Sequence, residues 1–111
     1  MSNQKLKNIA QEEVISLLEQ VSYQPGQVVS KTLVQNDSVS VTLFAFDQGE
    51  EISSHASDGD AMVTILDGLA KITIHGTIYQ LKAGETIVMP ATLPHALFAL
   101  EPFKMILTVI F

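Results

Sequence analysis

Three histidines and no cysteine bound the chemistry open to this 111-residue chain. Two of the histidines occupy corresponding places. Five residues separate Gly49 from His55, and the apolar run Ala61 to Leu66 that follows is closed by Gly68. Five residues separate Gly84 from Pro90, and His95 follows within PATLPHALFA. Each is a glycine-led extended segment that carries one imidazole to a place where a fold can bring the two together. An imidazole so placed acts as a metal ligand or as a general base. The other polar candidates have plainer readings. His75 falls at a hairpin tip and reads as a solvated turn residue, and Glu50-Glu51 reads as a solvated edge. Tyr23 and Tyr79 read as structural, and Met62 and Met89 as core fillers.

The elements that must position His55 and His95 are strands. QVVSKTLVQ, a turn at Asn36-Asp37 and SVSVTLFAF give two β-rich runs, and Asp47-Gln48-Gly49 breaks before EISSHAS. AMVTILD, the Asp67-Gly68 turn, LAKITIH, the His75-Gly76 turn and TIYQL follow, then ETIVMP, HALFAL and FKMILTVIF. About nine short strands, punctuated by glycine turns and with no crossover helix, predict an all-β antiparallel barrel or jelly roll. Upstream, Ala10, Val14, Leu17, Leu18 and Val21 fall on one helical stripe with Asn8 as a possible cap, which predicts a short helix over 10–21 ended by Pro25-Gly26. An extended arm is the rival reading for the same segment. The chain is therefore expected to be one domain, with residues 1–25 as helix or arm and 26–111 as barrel.

The spacing around His55 and His95 resembles the double motif of the cupins, and the resemblance covers about half the chain. It implies a metal site of three histidines and a glutamate, built on a His-x-His pair whose side chains share one strand face. His55 stands at the first ligand position and His95 at the last. Ser57 occupies the second histidine position and Ala61 the glutamate position, while Thr92 replaces a usual glycine and Ala99 a usual asparagine. Two of four implied ligands remain. Asp60 is a remote third candidate that would complete a two-His-one-carboxylate iron triad with Asp58 beside it. One residue separates Asp60 from the glutamate position, and one step along a strand turns a side chain to the other face. A bulge at Gly59 would undo that, whereas the plainer reading makes SDGD a surface turn whose carboxylates bond backbone amides.

Alternation through the two motifs predicts a pocket lined by His55, Ser57, Ala61, Val63, Ile65, His95, Leu97 and Ala99. It is apolar with a few convergent polar groups, which suits a small organic ligand. No cofactor is expected. The alternatives are a metal-dependent dioxygenase-like or isomerase-like cupin using His55 and His95 with a divalent metal and an unrecognised third ligand, or a metal-free enzyme with one histidine as base. A net charge of −6 with six basic residues excludes nucleic acid and anionic membranes as partners. The N-terminal residues hold no apolar stretch of signal or membrane-span type, so the cytoplasm is the expected location. Met105, Ile106, Leu107, Val109, Ile110 and Phe111 leave the last strand almost no polar face, so both its faces need cover. A homodimer through the terminal strands supplies that cover, and the N-terminal segment of the same chain is the other possibility.

Overall fold

The short segments form nine strands: β1 Val28–Gln35, β2 Val39–Phe46, β3 Glu51–His55, β4 Asp60–Asp67, β5 Leu69–Ile74, β6 Thr77–Lys82, β7 Thr86–Met89, β8 His95–Ala99 and β9 Phe103–Ile110. Apolar residues two apart bury one face most clearly in β4, β5 and β8. The computed structural model describes residues 5–111. Two antiparallel sheets face each other, one in the order β1-β2-β9-β4-β7 and one in the order β3-β8-β5-β6. This is the all-β jelly roll that the turn spacing predicts. Ala61, Val63 and Ile65 of β4, Leu97 and Ala99 of β8, and Phe103 and Met105 of β9 all turn inward to one core.

Two glycines hold the frame together by lacking a side chain. Gly68, between β4 and β5, has φ +82, and a Cβ there would lie 1.9 Å from the carbonyl oxygen of Pro102. Backbone packs on backbone at that turn, so no other residue fits. At Gly59 a Cβ would meet the Ile110 oxygen at 2.5 Å, which lets the end of β9 pass directly over the loop into β4.

The helix expected over 10–21 is reduced to one 3-10 turn, Leu17–Gln20. Asn8 and Glu12 adopt φ of 60 and 56, outside the right-handed helical path, and Val14 is fully exposed. An isolated helix this short gains little by itself, so packing against the barrel decides the path instead. Lys7 N–H donates to Leu33 O at 2.9 Å and the Asn8 amide donates to Thr32 O at 2.8 Å, which lays the segment along β1. Ile9, Leu17, Val21 and Tyr23 then cover Leu33, Leu43, Ala45 and Ile106 on the outer face of the first sheet.

For part of the outer face of β9, that cover is the second of the two possibilities read from the sequence, the N-terminal segment of the same chain. Lys104 is buried, donates from Nζ to Leu18 O at 2.6 Å and lies 4.9 Å from the Tyr23 ring centroid. Tyr23 in turn donates its hydroxyl to Asp67. The chain's own N-terminal segment thus covers the outward residues Lys104 and Ile106. Beyond it the outer face stays open, with Ile110 at 56%, Val88 at 51% and Met62 at 44% exposure. Met62 is therefore no core filler, because it faces outward beside Val88 in the β4–β7 register.

Candidate functional site

Pairing of β3 with β8 sets the two motif histidines directly opposite each other. Ile52 pairs with Leu97 and His55 with His95, so three steps on β3 match two on β8. Ile52 faces inward, and an odd step along a regular strand would turn His55 outward. A bulge at Ser53-Ser54 takes up the extra residue and returns the imidazole to the inner side. The two rings meet edge to face, 4.4 Å between centroids at 67°.

Backbone carbonyls two residues back fix both rings. His55 Nδ1–H donates to Ser53 O at 3.0 Å, and His95 Nδ1–H donates to Leu93 O at 3.2 Å. A carbonyl oxygen only accepts, so the hydrogen of each neutral ring sits on Nδ1 and its lone pair on Nε2. Burial holds His95 below its ordinary value of 6.5, the neighbouring His55 pushes it further down, and the bond to Leu93 partly opposes them. His95 is therefore a neutral imidazole near pH 7.

A cavity of about 450 Å³ opens beside the pair. His55, Ser57, Ala61, His95 and Leu97 line it. Val63, Ile65 and Ala99, also expected in the lining, are instead sealed in the core below. Their faces were assigned correctly, but the stacked pair Phe46 and Phe103, 4.4 Å between centroids, fills the barrel at their depth. Phe44, Ile52, Met89, Leu107 and Val109 complete the walls, and the exposed residues Ala56 and Asp58 also border it. Odd positions of β9 signal the inward set in the sequence, but they do not mark which of them reach open space. His75 lies apart, in the β5–β6 turn, and lines another groove with Tyr79, Ile87 and Leu93.

The loop between β7 and β8 ties the two motifs together. Thr92 N–H donates to Ser57 O at 2.8 Å and Ala91 N–H donates to Asp60 Oδ1 at 2.8 Å. Thr92, where the cupin pattern has glycine, has φ 70. A β-branched residue is strained in that region, typically by about 1–3 kcal/mol, and persists only where its surroundings hold it. Asp60 is thereby removed as a third ligand: its side chain is on the exposed face of β4 and engages a backbone amide. Gly59 makes no rescuing bulge, since its role is to admit the β9 backbone.

Cupin domains can bind metal, so the donor set decides whether this one suits a resident ion. Among the described residues no cluster of three or more His, Cys, Asp or Glu side chains is placed to hold one. Ser57 Oγ is engaged by Gly59 N–H at 3.1 Å, and Ala61 offers no donor atom. Two imidazoles fall short of the three or more protein ligands that first-row metals require for tight retention.

A double-stranded antiparallel barrel with paired motif histidines at one end defines the class, and sequence comparison agrees. A family pattern described as "Cupin domain" matches residues 42–111. The chain belongs to the cupin family. It is similar over 99% of its length to a conserved protein of unknown function from Streptococcus pyogenes, at 46% identity, covering 96% of that chain with a TM-score of 0.97. A cupin superfamily protein from Desulfitobacterium hafniense is 32% identical over 97% of this chain and 99% of its own, TM-score 0.93. A cupin 2 conserved barrel domain protein from Leptotrichia buccalis is 41% identical over 87% of this chain, which spans 47% of that protein, TM-score 0.85. No functionally curated protein matches.

Proposed function

We propose that the chain binds a small organic ligand in this cavity and works without a resident transition metal. One observation carries the reading: a cavity of about 450 Å³ with apolar walls and, at one end, two imidazoles whose Nε2 atoms remain free of the bonds that fix the rings. That size and composition suit a small molecule held by its apolar body and oriented by a few polar atoms. Heteronuclear NMR with a panel of small aromatic and aliphatic compounds tests it. Saturable shifts confined to Phe44, His55, Met89, His95 and Leu97 are expected. A panel that leaves those resonances unmoved sinks the reading.

The rival, a metal-dependent dioxygenase-like or isomerase-like cupin, needs a stoichiometric ion. Protein purified without chelator or affinity tag is expected to hold far less than one transition metal per chain. A stoichiometric metal that is lost in His55→Ala would overturn the metal-free reading. A ligating metal at a hundredfold over its Kd would also stabilise the fold by about 2.7 kcal/mol, easily seen in a melting curve.

We also propose a homodimer through the part of the first sheet that the N-terminal segment leaves open, around Ile110, Phe111, Val88 and Met62. These side chains are each 44% exposed or more, and Asp60, opposite Ile110 in the β4–β9 register, is the charged group beside them. Burying apolar area contributes about 25 cal/mol per Å², so a few hundred Å² favour association. Light scattering should give a dimeric mass that Ile110→Lys converts to monomer. A monomeric mass for the unaltered protein removes the proposal.

A further inference from the structure

Among the polar residues that border the cavity, His95 is the one taken out of water. It is 4% exposed, whereas His55 and Asp58 are exposed and Ser57 is half-buried with its Oγ engaged by Gly59 N–H. The His95 Nδ1–H donates to Leu93 O at 3.2 Å, which leaves Nε2 a lone pair and no hydrogen. Among the described residues every fully buried side-chain nitrogen or oxygen has a hydrogen-bond partner, and His95 Nε2 has none. Nε2 is therefore not sealed in the core but reaches open space, and the open space that His95 borders is the cavity. The walls around it are hydrocarbon and thioether, from Phe44, Met89, Leu97 and Leu107, with no lysine or arginine.

We infer that the cavity selects a neutral aromatic compound with a hydroxyl head, a phenol, whose O–H donates to His95 Nε2. The inference rests on the cavity being the ligand site proposed above. An apolar body that fills the cavity shuts water away from Nε2, and a buried acceptor left without a partner costs more than a neutral hydrogen bond gains. The ligand must therefore bring a donor, and one acceptor asks for one. An ammonium head carries three N–H donors and a charge, so burying it against a single neutral nitrogen leaves two donors unserved. A carboxylate head sets its lone pairs against that of Nε2, finds no cation in the walls, and is repelled by a net charge of −6. The body is aromatic because Phe44 offers a ring face or edge and Met89 a thioether, both of which favour an aromatic neighbour.

The experiment titrates the full chain with phenol, toluene, benzoate and benzylamine, which share one ring and differ in the head. NMR follows binding at about pH 8, above the ordinary histidine range and below the phenolic one, so that imidazole and phenol are both neutral. Phenol is expected to bind about tenfold more tightly than toluene, as one hydrogen bond to a buried acceptor supplies, and each charged compound at least about tenfold more weakly than phenol. His95→Phe keeps a ring in place and removes the acceptor, so toluene should then bind more tightly than phenol. A second readout needs no variant: in the unaltered protein phenol is expected to shift the nitrogen resonance of His95 Nε2 more than toluene does, and more than that of His55 Nε2. Toluene or a charged compound binding as tightly as phenol, a His95 Nε2 resonance that phenol leaves unmoved, or an unchanged order in folded His95→Phe overturns the inference while the cavity remains a ligand site. If none of the four compounds moves the lining resonances, the phenol inference and the ligand-site reading fall together.

Discussion

The two ends of the barrel are built from the same strands and differ in what fills them. At the closed end Phe46 and Phe103 stack at 4.4 Å and 15°, both fully buried, against Ile65, Ala99 and Met105. At the open end the corresponding inward positions hold Ala61, Leu97, Leu107 and two histidines, and a cavity of about 450 Å³ remains. Residues two apart on β4 pass from one regime to the other, Ala61 lining the cavity and Val63 and Ile65 sealed below it. Stability is thus concentrated where aromatic area is buried, and the site is placed where small residues leave space. The same division separates the cupin pattern from this chain: Ser57 and Ala61 are small where that pattern has ligands, and the room they leave belongs to the cavity.

The sharpest way to break the comparison is to remove the plug. Phe103→Ala is expected to lower stability by about 3–5 kcal/mol, the range for losing a buried aromatic and leaving its volume empty. Urea unfolding measures it. A loss under about 1 kcal/mol would mean that the closed end is not where the fold is held.

A matched pair comes next. Ala99→Leu adds bulk beside packed core and is expected to destabilise by about 1–3 kcal/mol, as overpacking does. Ala61→Leu adds the same atoms beside open volume and should change stability by less than about 1 kcal/mol while abolishing ligand binding. Equal costs for the two would show that the cavity wall at Ala61 is as tightly packed as the closed end.

What the sequence made legible follows the same line. Strand alternation and glycine turns marked nine strands, and the two motif segments marked His55 and His95, because these signals are local. The face of Val63, Ile65 and Ala99 was legible too, yet their depth was not, since depth depends on Phe46 and Phe103 from β2 and β9 meeting across the barrel. The bulge at Ser53-Ser54 left no mark beyond an odd spacing from Ile52 to His55. The N-terminal stripe pointed to a helix because periodicity reports which residues want burial. It does not report that Leu33, Leu43 and Ile106 stand ready to bury them in an irregular path.

Converting the open end toward the cupin metal site tests the vacancy itself. Ser57→His with Ala61→Glu places a third imidazole and a carboxylate at two positions that line the cavity with His55 and His95. The double substitution is expected to raise affinity for nickel or zinc by tenfold or more, about 1.4 kcal/mol, only when both changes are present. Calorimetric titration of wild type, single and double variants reads this directly. No gain in a folded double variant would mean that Ser57 and Ala61 do not converge on the histidine pair.

The smallest expected effect is the pH dependence that His95 confers. Burial, then the nearby His55, holds its folded-state value below 6.5, so the folded protein resists a proton that the unfolded chain accepts. The stability that this group contributes is therefore complete above the unfolded value and is lost as pH falls from about 6.5 through the depressed folded value. Below that lower value both states are protonated and the dependence ends. Urea midpoints of the protein and of His95→Gln, taken across the acid range, isolate the term. The slope between neutral and mildly acid pH is expected to be shallower in His95→Gln. Among the described residues, Phe46 and Phe103 pack in a cluster of buried hydrophobic side chains, so Phe103→Leu should shift the whole curve without changing its shape. Parallel curves for wild type and His95→Gln would mean that His95 takes up its proton as readily in the folded barrel as in the unfolded chain.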